Sequence, residues 1–353
     1  MFSTILKNIF IRIFSRKIVF SKKFDFVWMI HPLNLEDVTR RYFFLRFLPE
    51  SFLNFLLSKL PPLFLSSVDG VQNLQGKKMR GCIMGCFLTS EQVRKRPELV
   101  NQKVLSAVKL VNKLGSEILC LGGMLYVNEL TEKEIKSKFN INLSNGSALL
   151  PVIIFERIKK VLDFNGKKPN DISLSIVNAT SFKGKIISRF LSTKEFKNII
   201  LLGRNLEHLK ELKEEINIDN IKISNELKDI NDSDLVLVAP SNHRLEFKLD
   251  YLHEGITICD VNTPAHDYNH ILKKYPKIKI FKDETVNTKD VIYDYNLGIP
   301  SCNSYICLTE TYLLAQRDGI KKSFFHNMSP NMVEEIENLF HNSNFFLVDK
   351  KYD

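Results

Sequence analysis

Cys307 sits in the segment of this sequence best suited to nucleophilic chemistry, Asn303-Ser304-Tyr305-Ile306-Cys307-Leu308-Thr309-Glu310-Thr311-Tyr312-Leu313-Leu314. Asn303 or Ser304 can cap a helix here, which places Cys307 in the first turn, where aligned peptide dipoles favour a thiolate. Glu310 and Thr311 follow at i+3 and i+4, on the same face. A thiol with a carboxylate beside it suits acyl transfer, although an ionised carboxylate next to a thiol opposes its ionisation. The same spacing also suits a small apolar side chain on a core helix, and both readings stay open. Cys82, Cys86, Cys120 and Cys259 lie within apolar runs. His266 and His270 are four apart, as two zinc ligands on a helix would be, but no third ligand is close by and no metal is expected.

A second chemistry-bearing stretch is Val177-Asn178-Ala179-Thr180-Ser181-Phe182-Lys183-Gly184, between an apolar run and an amphipathic one. A mononucleotide-binding turn needs a strand, a tight glycine loop and a helix whose N–H groups face the pyrophosphate. Of three expected glycines only Gly184 is present; Asn178 tolerates unusual backbone angles and Ser181 is small. Asn178, Thr180, Ser181, Lys183 and Gly184 are thus the candidate phosphate contacts, against the alternative of a Rossmann fold without a nucleotide. The next apolar run ends Gly203-Arg204-Asn205, where the ribose contact belongs. Arg204 suits a 2′-phosphate and hence NADP, or else simply solvates the next helix. Ser241, after Ala239-Pro240, is placed to border the nicotinamide.

These residues need elements to hold them. FVWMI (26–30), 80–88 and 118–121 read as strands, 33–60 as helices broken near Pro49, and 97–114 and 149–164 as helices. Strands at 172–177, 198–202, 221–223, 234–239, 256–261 and 278–281 alternate with helices from Gly184 and Leu206, which predicts a parallel, doubly wound sheet. The expected fold class is α/β: an N-terminal α/β domain over 25–165, a Rossmann-type domain over 166–300, and C-terminal helices over 301–353 that carry the thiol and pack back.

Length and charge bound the rest. The chain has 353 residues, 44% of them hydrophobic, and a formal charge of +10. That is long enough for two domains, and six cysteines without regular spacing make no disulfide scaffold. The first 24 residues hold six cations (Lys7, Arg12, Arg16, Lys17, Lys22 and Lys23) and no acid, with Phe2, Ile5, Leu6, Ile9, Phe10, Ile13, Phe14 and Ile18 between them. Such a leader either lies on an anionic bilayer, packs on the domain behind it, or is a transit sequence. The body is only mildly basic and has no basic stripe with stacking aromatics, so no nucleic-acid partner is expected.

Taken in order, several segments resemble the long-chain acyl-[acyl-carrier-protein] reductases of cyanobacteria and their bacterial relatives, often labelled shikimate- or amino-acid-dehydrogenase-like. They are FVWMIHPLNLEDVTRRY, GKKMRGCIMGCFLTSEQV, LGG (121–123), SNGS (144–147), IVNATSFKG, LLGRNLEHLKELKEEI, ITICDVNTP and ICLTETYLLA. The resemblance runs from about Phe26 to Val348. It implies that Cys307 takes an acyl group from a thioester, that NADPH reduces it to a fatty aldehyde, that Arg204 meets the 2′-phosphate, and that His31 is a proton donor. It also implies an apolar acyl tunnel within 25–150 and acyl carrier protein or coenzyme A thioesters as partners. The expected location is the cytoplasm, with peripheral membrane contact through 1–24 resting on the leader's own pattern and not on the resemblance. The sequence departs from the family pattern at Asn178, Ser181 and Lys183, and reads Lys282-Asp283-Glu284 where the family has Glu-Gly-Gly. These changes crowd a cofactor, and the alternative they imply is a member that binds or transfers acyl groups without hydride chemistry.

Overall fold

In a computed structural model, residues 23–73, 75–240, 248–262, 266–282, 285–316 and 328–348 are described. The leader up to residue 22, Ser241, Asp283 and Glu284 lie outside them. The chain forms two compact units. The first comprises 1–146, 287–327 and 339–345; the second comprises 147–286, 328–338 and 346–353. The sequence sets the division at 165/166, whereas helix Leu149–Phe164 belongs to the second unit, where Phe155 meets Phe190 edge-on at 6.3 Å.

The first unit is built on a six-stranded sheet. Its strands are β1 (Phe26–Ile30), β2 (Leu63–Gln72), β3 (Lys78–Gly85), β4 (Ile118–Leu121), β5 (Asn142–Ser144) and the two-residue strand Ile292–Tyr293. The order is 292–293, β2, β3, β1, β4, β5, with β3, β1, β4 and β5 parallel and β2 antiparallel to β3. Every residue of β4 is buried, as a central parallel strand with two covered faces requires. On one face Val27, Met29, Leu119 and Leu121 pack under helix Pro97–Leu114, through its Val100, Val104, Val108 and Val111. That helix begins with proline in its first turn and stops at Gly115 in a left-handed conformation (φ 72°). The opposite face carries Phe26, Trp28 and Cys120 beneath helix Ile306–Gln316, where the Phe26 and Tyr312 rings meet at 5.5 Å. Phe24, read with the leader in sequence, is fully buried, 6.5 Å from Phe64, and belongs to this core.

The second unit is a six-stranded parallel sheet of β6 (Ser173–Val177), β7 (Asn198–Leu202), β8 (Ile221–Ser224), β9 (Leu235–Val238), β10 (Thr257–Asp260) and β11 (Lys279–Lys282). Its order, β8-β7-β6-β9-β10-β11, is that of the dinucleotide-binding Rossmann fold, with the chain reversing direction across the sheet between β6 and β9.

The loop after β10 is held by one buried carboxylate. Asp260 accepts from the Asn262 and His266 backbone N–H groups at 3.0 and 2.7 Å, from His266 Nδ1 at 2.8 Å and from the Tyr268 hydroxyl at 3.0 Å. Burial pushes its pKa up, yet the hydrogen bonds from His266 and Asn262 outweigh this and hold it below the ordinary value. His266 precedes helix Asn269–Lys274, so His266 and His270 do not share a helix face, and the Nδ1 of His266 is committed to Asp260. Asp260→Asn is therefore expected to destabilise the protein by roughly 2–4 kcal/mol, since it leaves buried donors facing an amide. The Asp260 contribution is complete above the unfolded aspartate pKa of about 3.9 and is lost as pH falls through the lower folded value. Urea denaturation of wild type and variant at neutral and acidic pH checks both statements, with a difference that narrows in acid.

Candidate functional site

In the first unit the thiol helix is placed as its sequence suggests, but by different means. Ile306 opens the helix and Cys307 is its second residue, half-buried. Asn303 and Ser304 do not cap it; they lie in a short strand, Asn303–Tyr305. The reason is that their side chains are already engaged. Asn303 Oδ1 accepts from Asn287 at 3.3 Å, and the Ser304 hydroxyl meets that of Thr288 at 2.7 Å.

Glu310 is fully buried. Its Oε1 accepts from the Ser144 hydroxyl at 2.5 Å and from the Gly146 backbone N–H at 3.0 Å. The carboxylate thus ties the helix to the loop after β5. Gly146 has φ +81°, and a Cβ there would run into the Cys307 backbone, so only glycine lets the loop come this close. Thr311 donates to the Cys307 carbonyl at 2.8 Å, an i−4 bond within the helix.

Two residues that the sequence reading assigned no role lie on the sheet face beneath the thiol helix. Cys120 on β4 donates from Sγ to the Cys307 carbonyl at 3.2 Å, and its thiol also lies within hydrogen-bonding reach of the Cys307 side chain. Burial, then the bond to Cys307, push the Cys120 pKa well up, so it stays a protonated donor. Trp28 on β1 is the register partner of Cys120, so the two side chains leave the sheet on the same face. Its ring lies 6.5 Å from that of Tyr305, at the start of the thiol helix. The Trp28 Nε1–H is buried against Gly122 and has no hydrogen-bond partner among the described residues, an orphan donor on the face beneath the thiol helix. The sequence signal for both lay in the alternation of FVWMI and ILCL, which puts Trp28 and Cys120 on one side; their pairing needs the register.

His31 follows β1. Its Nδ1 bonds the Pro32 carbonyl at 2.9 Å and its Nε2 accepts from the Met124 N–H at 3.1 Å, so both ring nitrogens brace turns. Burial lowers its pKa, which keeps the ring neutral. In this arrangement it holds no free proton-donating nitrogen, contrary to the role the resemblance implies. His31 also borders a cleft lined by Ile30, Val38, Arg41, Leu65, Phe87 and Tyr295, with the Arg41 guanidinium 4.5 Å from the Tyr295 ring centre.

In the second unit the nucleotide turn forms without its first two glycines. Asn178 takes the left-handed conformation (φ 60°) that a glycine would supply. Its Nδ2 donates to the Ala239 carbonyl at 3.2 Å, bridging the ends of β6 and β9 at the point where the sheet reverses. The Ser181 hydroxyl caps helix Phe182–Ser192 by accepting from Gly184 N–H at 3.1 Å. Gly184 is required, because a Cβ would collide with the Asn178 carbonyl. Thr180 neighbours Gly203 at the tip of β7, and Lys183 lies in the first turn of the helix. Arg204 is exposed and has no ion pair among the described residues. Asn205 caps helix Leu206–Ile216, accepting from Glu207 and His208 N–H at 2.9 and 3.3 Å. The turn after β6 is tight, and the Asn178 and Ser181 side chains are both engaged within it.

No family model matches the chain, and no curated protein matches it. Among solved structures it is similar to quinate dehydrogenase from Corynebacterium glutamicum in complex with NAD, at 12% identity over 91% of this chain and all of that one, TM-score 0.41. It is also similar to L-tryptophan dehydrogenase from Nostoc punctiforme (11% identity, 89% and 78% covered, TM-score 0.38). With the dipicolinate synthase A chain from Bacillus subtilis the identity is 13%, the TM-score 0.31, and the match takes in 53% of this chain and 60% of that one. Likenesses of this size carry no argument about chemistry.

The six thiols should separate by accessibility. Cys302 is exposed and Cys307 half-buried, whereas Cys82, Cys86, Cys120 and Cys259 are buried. Burial also pushes the Cys86 thiol up to about 12. Iodoacetamide should label Cys302 and Cys307 in the native protein and the other four only after denaturation. Peptide mass spectrometry reads this directly; native labelling of Cys120 would contradict the packing described.

Proposed function

We propose that the protein reduces a long-chain acyl thioester, carried on acyl carrier protein or coenzyme A, to a fatty aldehyde through a thioester at Cys307. The observation that carries this reading is the setting of Cys307: half-exposed, at the start of a helix, with a protonated Cys120 thiol beside it and an unpaired Trp28 N–H on the same sheet face. The family resemblance of the sequence supports the substrate class, and the Rossmann order of the second unit supports a nucleotide.

In the first half of the reaction the Cys307 thiolate attacks the thioester carbonyl, and the carrier thiolate leaves. The carbonyl oxygen gains negative charge as the tetrahedral centre forms. A buried N–H with no other partner, such as that of Trp28, stabilises that charge without having to break an existing bond. Cys120 donates to sulfur or to the adjacent carbonyl and steadies the thiolate before attack and after release. Glu310 is a positioning residue, which fixes the loop 144–146 against the Cys307 backbone. NADPH, when bound, supplies the hydride. Arg204, the Asn178–Gly184 turn and the helix behind it are the residues that would hold it. Loss of the aldehyde restores the Cys307 thiolate.

A second reading is favoured by the side chains at 178 and 181: acyl binding or transfer without reduction. Incubation of the protein with acyl-carrier-protein and acyl-coenzyme A thioesters, with and without NADPH, separates the two. The first reading predicts aldehyde, and without NADPH an acyl adduct at Cys307 that Cys307→Ser abolishes. An adduct without aldehyde, together with no measurable NADPH affinity, favours the second. Absence of both aldehyde and adduct overturns both.

Trp28→Phe removes the donor and keeps the ring. It should slow adduct formation by about 10²-fold, the usual effect of losing one oxyanion donor, with thermal stability near that of wild type. Single-turnover acylation followed by intact mass spectrometry measures it; an unchanged rate would remove Trp28 from the mechanism.

A further inference from the structure

Between Arg40 and Lys59 the first unit presents an apolar surface of a kind that folded proteins rarely leave in water. The short 3₁₀ segment Phe43–Phe47 has no buried residue, and its Phe43 and Phe47 are 68% and 82% exposed. The helix that follows, Glu50–Lys59, is apolar on two sides. Leu53 and Leu57 face the core, while Phe52, Phe55 and Leu56 recur at i, i+3 and i+4 and are exposed, Phe55 by 59%. A surface helix normally turns a polar face outward; here Glu50, Ser51 and Lys59 share the outer side with Phe52, Phe55 and Leu56, which leaves an apolar stripe without a partner among the described residues.

The charge around these side chains is mainly positive, although Arg40 pairs with Glu36 at 3.2 Å. Arg40, Arg41, Arg46 and Lys59 lie within the stretch, against a single acid, Glu50. Arg46 is exposed and has no ion pair among the described residues. Lys59 holds its ammonium 5.4 Å from the Phe55 ring centre, at the edge of the apolar stripe. Phenylalanines flanked by long cationic side chains suit the level of a bilayer where rings enter the acyl boundary and cations reach lipid phosphates. A second copy of the chain would set Arg46 and Lys59 against their own equivalents. The leader does not complement the face either, for its six cations repeat the same sign.

We propose that residues 43–56 form a docking surface for an anionic lipid bilayer. The leader, with five cations in its first 22 residues, meets the described body of the chain at Lys23 and provides a second contact of the same chemistry. Stable peripheral binding generally takes two such signals. The surface is independent of the chemistry assigned to Cys307, and an inactive protein would still display it.

The test uses the full-length chain and vesicles of phosphatidylcholine with and without phosphatidylserine. Sedimentation should show binding to the phosphatidylserine vesicles alone. The variant Phe43→Ser/Phe47→Ser/Phe52→Ser/Phe55→Ser should bind at least about tenfold more weakly, because each buried phenylalanine is worth more than that factor by itself. Its far-UV circular dichroism should match wild type, since all four side chains are exposed. Hydrogen–deuterium exchange of the wild-type chain should slow at 43–56 when phosphatidylserine vesicles are added. Equal binding of variant and wild type, equal binding to both vesicle types, or protection of 43–56 without lipid at high protein concentration would each overturn the proposal. The last outcome would assign the face to a second copy.

Discussion

The first unit depends on a carboxylate taken wholly out of water. Glu310 keeps its place because Ser144 and the Gly146 N–H donate to the same oxygen, and a buried acid without such donors would be costly. Those bonds fix more than the acid. They join the thiol helix to the loop that follows β5, and the lack of a Cβ at Gly146 brings that loop against the Cys307 backbone. With the helix fixed, Cys120 reaches the Cys307 carbonyl and Trp28 lies under Tyr305. The thiol is thereby placed by a network whose members come from four separate stretches of chain.

The second unit solves a different problem, a tight turn without glycine at its first position. Asn178 supplies the left-handed angle and ties its own side chain to the end of β9, which stiffens the place where the sheet reverses. Gly184 remains because backbone approaches it too closely for any other residue. The turn thus kept its geometry while it exchanged flexibility and open space for side chains. This favours a turn that is preformed and narrow, and it makes nucleotide affinity the property on which the two functional readings part.

Much of the fold was legible because its signals are local. Pro97 and Gly115 bound a helix whose valines recur every three or four residues, and the run 97–114 follows from them. The apolar runs of β7 and β9 announced a buried parallel sheet. What failed to read locally failed for identifiable reasons. Asn303 and Ser304 look like caps, but Asn287 and Thr288 engage their side chains first. β2 contains Ser66, Ser67 and Asp69, so its apolar pattern is diluted, although it is the long antiparallel neighbour of β3. His266 and His270 have the spacing of a helical pair, but Asp260 draws His266 into a loop.

By itself the sequence determined the α/β class, the Rossmann half, the thiol helix and the uneven placement of charge, since propensity, periodicity and composition act over a few residues. Tertiary structure alone decided what surrounds the thiol. Glu310 stands one turn from Cys307, yet it bonds residues more than 160 positions earlier. Cys120 and Trp28 become neighbours only through the register of β1 with β4, and the unpaired indole N–H emerges only from that packing. Such facts rest on burial and long-range pairing, and no window of sequence contains them.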